Sequence, residues 1–237
     1  PVGSLGGILR VSGTEVDFAL SDYPLSVAEL ETKGLAQFPI VTGAIVPVIN
    51  VTALKDKPIN LPGAVLADIY LGKVQNWSDA TISAANPGLA LPDLPITVLH
   101  RVDGSGTTYN WTAFLSASSA EWRGKYGTNS LISWPLGKDV RGSRGMASEA
   151  AATDGSIGYL EFGQAKRAGL AMALVENAQK RFALPEEVSV SAAAASAEWS
   201  PANHFATSLV NASAPDSYPI TTAVYAIMKK DGGFGSD

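Results

Sequence analysis

Three short clusters of small and polar residues hold the groups able to do chemistry in this 237-residue chain. The richest is Leu99-His100-Arg101-Val102-Asp103-Gly104-Ser105-Gly106-Thr107-Thr108, which follows an apolar run and precedes a helical pattern. It therefore reads as a strand-to-helix turn. Small residues at such a turn expose backbone N–H groups, and the helix dipole favours negative charge there. Ser105 and Thr107 add hydroxyl donors. Arg101, at the strand end, offers a planar fork matching two oxygens of a tetrahedral oxyanion, which lysine does not reproduce. Asp103, two residues on, is spaced to orient that fork. The same Asp-Gly-Ser-Gly-Thr run is equally compatible with a plain glycine turn and an ordinary Ser or Thr helix cap.

The second cluster, Gly3-Ser4-Leu5-Gly6-Gly7, leads into a short apolar helix. Ser4 there can donate to an anion and the glycines permit close approach, although a loose chain end has the same composition. The third is the strand and turn Val16-Asp17-Phe18-Ala19-Leu20-Ser21-Asp22-Tyr23-Pro24-Leu25-Ser26, with Asp22 at the C-terminal mouth. Ligands of open α/β sheets collect at that edge. A carboxylate facing an oxyanion accepts a hydrogen bond from a protonated one and repels a fully deprotonated one. Taken alone, Asp22 also reads as a turn aspartate bonding its own backbone.

Catalysis is thinly supplied. Cysteine is absent, which excludes thiol nucleophiles, disulfides and thiolate metal sites. The two histidines, His100 and His204, belong to no cluster with metal-ligand spacing, and Ser105 has no base beside it in sequence. His100 reads as strand-end packing. We therefore expect neither a catalytic residue nor a metal or cofactor.

The elements that must position these clusters follow from the hydrophobic pattern. With 46% hydrophobic and 16% charged residues the chain can bury a substantial core, as one large domain or two small lobes. A formal charge of −5 without a dense lysine or arginine stripe excludes the usual footprint of a nucleic-acid binder. The longest apolar runs, such as Ile45-Val46-Pro47-Val48-Ile49, are too short to span a bilayer. Low lysine with abundant Ala, Ser and Gly suits an exported bacterial protein.

Val16 to Leu20, Ile40 to Ile49, Ile96 to Leu99, Ile157 to Leu160 and Ile220 to Ile227 read as buried strands. Helices are predicted over Gly6 to Val11, Ala64 to Leu71, Gly106 to Ala117, Gly145 to Ala152, Phe162 to Ala168 and around Asn203 to Val210. This alternation predicts an α/β fold with mostly parallel sheets. Ser189 to Ser200 reads as a helix or a loop, the five tryptophans as core filling, and Gly232 to Asp237 as a flexible tail.

The clusters Gly-Ser-Leu-Gly-Gly, Ser-Asp-Tyr-Pro-Leu-Ser and Arg-Val-Asp-Gly-Ser-Gly-Thr, in that order, resemble those of the periplasmic phosphate-binding proteins of bacterial phosphate ABC transporters. Further likeness lies in Gln37-Phe38-Pro39, Asp68-Ile69-Tyr70-Leu71-Gly72-Lys73-Val74 with Trp77, Asn86-Pro87-Gly88, Trp134-Pro135, Gly155-Ser156-Ile157-Gly158-Tyr159 and Pro219-Ile220-Thr221. The resemblance runs from about Gly3 to Asp231. Leu5 departs from the family, which has a second serine there.

The resemblance implies a periplasmic-binding-protein type II-like fold of two α/β lobes with a hinge. Residues 1–50 would form part of lobe I, 51–218 mainly lobe II, and 219–237 a return strand to lobe I and the tail. Lobe I would be incomplete, lacking the family's first strand and helix, a Thr-Phe turn that adds donors, and a C-terminal helical segment. Ser4 and Asp22 would face Arg101, Ser105, Gly106 and Thr107 across a cleft, with Asp103 supporting Arg101. The implied ligand is inorganic phosphate, held without a cofactor, for delivery to an ABC permease or for sensing, in the periplasm or at the cell surface. Another chain completing lobe I is the further partner implied. Two other readings remain: an assembly module with a vestigial site, and a phosphatase.

Overall fold

Branched and aromatic side chains pack well on a pleated surface, so the β-branched runs set the strands. The computed structural model describes residues 2–13, 15–54 and 57–230. Its strands are β1 (Phe18–Ser21), β2 (Leu35–Asn50), β3 (Asn60–Leu61), β4 (Thr97–Arg101), β5 (Lys138–Val140), β6 (Ser156–Glu161), β7 (Ala171–Met172), β8 (Leu174–Glu176), β9 (Phe182–Ala183) and β10 (Thr221–Lys229). The helices are α1 (Gly3–Ser12), α2 (Val27–Lys33), α3 (Gly63–Tyr70), α4 (Ala80–Ala85), α5 (Gly106–Ser118), α6 (Ala120–Lys125), α7 (Gly142–Ala152), α8 (Phe162–Arg167) and α9 (Glu187–Ala195). The tail at Gly232 to Asp237 lies outside the described residues.

Seven strands form one sheet in the order β1-β10-β2-β6-β4-β5, with β7 also on β2, while β3, β8 and β9 form a small second sheet. The expectation of mostly parallel sheets is wrong. β4 pairs parallel with β5 and β6, and β3 with β8, but β1–β10, β10–β2, β2–β6, β2–β7 and β8–β9 are all antiparallel. Alternating strands and helices dictate direction for strands joined by a helical crossover, such as β4 and β5 through α5 and α6. They say nothing about strands such as β2 and β10 that meet from distant parts of the chain.

The helix expected around Asn203 to Val210 does not form either. A 3₁₀ turn covers Pro201–Asn203, and then His204 and Phe205 both take left-handed φ, at 53° and 57°. Two such residues end any right-handed helix. Their carbonyls are bonded by side chains of the sheet instead: Gln37 Nε2 donates to His204 O at 3.3 Å and Tyr225 Oη to Phe205 O at 3.0 Å. Conversely α2, α4 and α6 were not foreseen, since six or seven residues are too few for a periodic signal. Their caps mark them: Ser26 with Glu29 in a capping box, Asp79, and Ser119.

Two apolar clusters fill the interior. The larger holds Val46, Val48, Leu99, Trp77, Trp111 and Trp122, and the smaller holds Ile8, Val11, Leu30, Leu35, Tyr225 and Ile227. β2 serves both, because Leu35 lies in the smaller cluster whereas Ala44, Ile45, Val46, Val48 and Ile49 lie in the larger; β10 contributes Ala223, Tyr225 and Ile227 to the smaller, and Ile220, just before it, belongs to the larger. α1 packs on the smaller cluster through Ile8 and Val11, and α5 on the larger through Trp111, Phe114 and Leu115. The N-terminal ends of these two helices meet. Among the described residues β1 pairs on one side alone, with β10, and leaves Phe18 and Leu20 59% and 50% exposed. Among the described residues no helix is long and apolar enough to cross a membrane.

Candidate functional site

Arg101 closes β4, and its backbone is fixed at both ends. Its N–H donates to Tyr159 Oη at 3.1 Å, and its carbonyl accepts from Trp134 Nε1 at 3.1 Å. The side chain is 5% exposed and makes three directed bonds. Nε donates to Asp103 Oδ1 at 2.7 Å, Nη2 to Asp103 Oδ2, and Nη1 to Ser143 Oγ at 3.1 Å. A guanidinium carries five N–H donors. One N–H on each terminal nitrogen therefore remains, and together they form a fork able to grip two oxygens of one anion.

Asp103 is the counterweight. Burial pushes its carboxyl up, but the Arg101 hydrogen bonds and the Gly142 N–H, which donates to Oδ1 at 2.9 Å, outweigh it and hold the pKa low. Asp103 thus stays ionised and keeps the guanidinium aligned.

The Tyr159 hydroxyl accepts from the Arg101 N–H and shares a 2.7 Å bond with Thr108 Oγ1. Burial pushes its ionisation well above the usual tyrosine range. Tyr159→Phe leaves both partners buried without a substitute, so we expect a loss of about 1–3 kcal/mol in urea unfolding, the usual cost of an unsatisfied buried polar group. A midpoint equal to wild type would show that water replaces the hydroxyl.

Ser105 caps α5, its Oγ accepting from Thr108 N–H at 3.2 Å. The helix-cap reading of this turn is correct, and it coexists with a cleft, because accepting one bond leaves the hydroxyl proton and the first-turn N–H groups of Gly106 and Thr107 without intrahelical partners. Opposite, Ser4 Oγ accepts from Asp22 N–H at 3.2 Å. The Asp22 carbonyl is held by Asn110 Nδ2 and Thr222 Oγ1, each at 2.7 Å, and Thr107 Oγ1 donates to its carboxylate at 3.5 Å. Burial pushes the Asp22 carboxyl up, with Glu161 adding to the effect and Thr107 and Arg101 opposing it.

The two sides touch through glycine. A Cβ on Gly106 would overlap the Ser4 hydroxyl and lie 2.7 Å from Asp22 Cβ. One on Gly104 would collide with Leu5, whose N–H donates to Gly104 O at 3.3 Å. Ser4, Asp22, Arg101, Asp103, Ser105, Gly106 and Thr107 all line a single cleft of about 740 Å³.

The same cleft has a wall absent from the sequence reading, built by Arg141, Gly142, Ser143 and Arg144 at the start of α7 and by Gln164 and Arg167 of α8. Their signal was present: Arg141-Gly142-Ser143-Arg144 is, like the Arg101 segment, an arginine and small residues between a strand and a helix. The predicted helix began at Gly145, whereas α7 begins at Gly142. His100 takes no part. It is 4% exposed, stacked on Trp134 with centroids 4.9 Å apart, and lines neither this cleft nor the one described next.

A second cleft of about 690 Å³ adjoins the far side of Asp22, beside the stacked rings of Tyr23 and Tyr109. Among the described residues its lining contains Asp22 and Glu29 and no cation, so charge disfavours an anion there.

A family profile described as a PBP superfamily domain matches residues 1–235. The chain is 42% identical over 229 residues to the phosphate-binding protein PstS of Xylella fastidiosa (strain 9a5c), over 97% of this chain and 63% of that protein. It is 39% identical to the phosphate-binding protein PstS of Pasteurella multocida (strain Pm70), over 97% of this chain and 67% of that protein. The chain thus spans just under two thirds of the Xylella relative's length. Among solved structures, the periplasmic phosphate-binding protein PfluDING, bound with phosphate, superposes with a TM-score of 0.76 at 23% identity, over 96% of this chain and 72% of that one. The phosphate-binding protein of Stenotrophomonas maltophilia gives 0.72 at 22% identity, over 96% and 70%. At these identities the two structures show the fold.

Proposed function

Because the chain belongs to the PBP superfamily and, within it, to the family of phosphate-binding proteins named PstS, we propose that its arginine-lined cleft binds inorganic phosphate. The observation that carries this reading is the Arg101 fork: Asp103 and Ser143 orient the guanidinium while leaving one N–H on each terminal nitrogen. Phosphate seated there also meets the first-turn N–H groups of α5 and the hydroxyls of Ser105, Thr107 and Ser4. Asp22 accepts the proton of mono- or dibasic phosphate, and its raised pKa makes it a stronger acceptor. Sulfate carries no proton at neutral pH and meets a bare carboxylate instead. The reading assigns binding without a catalytic step or a cofactor.

Ser4 and Asp22 belong on this reading to lobe I, with residues 1–50 and the return strand from 219. Arg101 to Thr107 belong to lobe II within 51–218. The hinge lies where β2 passes from one apolar cluster to the other and where the chain enters β10 after Ile220, and α9 with Leu209 packs on the lobe I side. The protein acts in the periplasm or at the cell surface and delivers phosphate to an ABC permease. The open edge of β1, with Phe18 and Leu20 exposed, favours a second contact in which another chain extends that sheet.

Calorimetric titration with phosphate and with sulfate at neutral pH tests the site. Wild type should take phosphate and refuse sulfate, and Asp22→Asn should narrow the gap by about tenfold or more, a loss of roughly 1.4 kcal/mol of discrimination. Equal binding of both anions by wild type would overturn the assignment. Ligand-free Asp22→Asn should also unfold at a higher temperature than wild type at pH 7. The unfolded carboxyl ionises near ~3.9 and the folded one higher. Wild type therefore loses stability as pH rises through that window, and the advantage of Asn should vanish below it.

A further inference from the structure

Four of the seven arginines in the sequence line the phosphate cleft, and none of the described lysines does. Arg101 is accounted for. Arg141 precedes α7, Arg144 lies in its first turn and Arg167 ends α8, and all three are exposed. None of their side chains has an ion pair or hydrogen bond with any described residue. The acids nearby are committed elsewhere. Asp103 serves Arg101, Asp22 faces Thr107, and Glu161 accepts from the Gly163 and Gln164 N–H groups at 2.8 and 3.0 Å. A chain of net charge −5 thus concentrates three uncompensated guanidinium groups at one cleft wall.

On the phosphate reading, Arg101 and the α5 start hold orthophosphate without them. Its five heavy atoms are met by Arg101, the α5 N-terminus and the hydroxyls, while the cleft of about 740 Å³ continues to the α7 and α8 wall. Arginine at all three places, in a chain richer in lysine, selects for planar two-oxygen recognition of phosphoryl groups. Among the described residues the lining contains no aromatic side chain, and its apolar ones are Ala147 and Ala168. A nucleobase or an acyl group would find nothing to stack or pack on.

Resting on the phosphate reading above, we infer that the cleft holds a second phosphoryl subsite formed by Arg141, Arg144 and Arg167, so that it takes inorganic condensed phosphates as well as orthophosphate. One phosphoryl group occupies the Arg101 site, and the next, bridged through oxygen, reaches the arginine wall.

The test is titration of the chain with orthophosphate and with pyrophosphate, at one ionic strength because such contacts are salt-dependent. Wild type should bind both. Arg144→Ala/Arg167→Ala should lower pyrophosphate affinity by about tenfold or more and orthophosphate affinity by less than about threefold, as expected when charge-assisted contacts to the second group alone are lost. Lys166→Ala, a neighbouring exposed cation outside the cleft lining, should leave both affinities unchanged. Orthophosphate binding without pyrophosphate binding overturns the second subsite and leaves the phosphate reading standing. So does pyrophosphate affinity that ignores the double substitution, or falls as far with Lys166→Ala. A wild-type chain that binds neither anion overturns both readings.

Discussion

Arg101→Ala is expected to cost phosphate affinity by roughly 10- to 150-fold, the equivalent of about 1.5–3 kcal/mol for hydrogen bonds to a charged group. The loss has two sources. The fork is gone, and Asp103 keeps the Gly142 N–H but loses both guanidinium bonds, so an unpaired carboxylate now faces the incoming anion. The same orphaned charge lowers stability. Removing one partner of a buried ion pair costs up to about 3–5 kcal/mol, and less where, as at Asp103, 14% of the side chain is exposed and one donor remains. Arg101→Ala/Asp103→Ala separates the two effects: urea unfolding should recover most of the lost stability, while calorimetry shows binding still impaired. Wild-type affinity in the single variant would remove Arg101 from the site.

Gly106→Ala should be nearly as damaging to binding through shape alone. A methyl group there overlaps the Ser4 hydroxyl, lies 2.7 Å from Asp22 Cβ and 3.0 Å from the Asp22 amide nitrogen. Serine can rotate away, but Asp22 is pinned by Asn110, Thr222 and its own backbone bond to Ser4. The two sides must therefore separate, and groups on opposite walls no longer reach one anion together. Overpacking of this kind costs about 1–3 kcal/mol, and charged against closure it lowers phosphate affinity by roughly tenfold or more. Gly124→Ala in α6 is the control, since a Cβ there meets nothing within 4 Å. It should leave affinity alone and gain a few tenths to about 1 kcal/mol of stability from helix propensity. Equal affinity in Gly106→Ala and wild type would show that the walls do not need to touch.

Five of the large sheet's seven strands were legible as β-branched runs, and the longer helices at Gly63–Tyr70 and Gly106–Ser118 as periodic ones. Their direction was not. Parallel or antiparallel pairing depends on which distant strands meet, and β2 meets β10 and β6 across more than a hundred residues. Local pattern likewise overcalled a helix near Asn203, where side chains of Gln37 and Tyr225 claim the backbone carbonyls from the sheet side.

The residue chemistry of the site was set by the sequence: an arginine and an aspartate two apart at a strand end, hydroxyls and glycines opening a helix, a glycine-rich start, and an aspartate at a strand mouth. Those are local features, and local backbone preference and side-chain chemistry dictate them. Tertiary structure alone decided that Ser4 and Asp22 lie within reach of Gly106 and Thr107, that Ser143 takes the third bond of Arg101, and that Arg141, Arg144 and Arg167 share its cleft. Contacts across 18 to 85 residues of chain are fixed by how two apolar clusters pack along β2, and packing is a property of the whole fold that no short segment encodes.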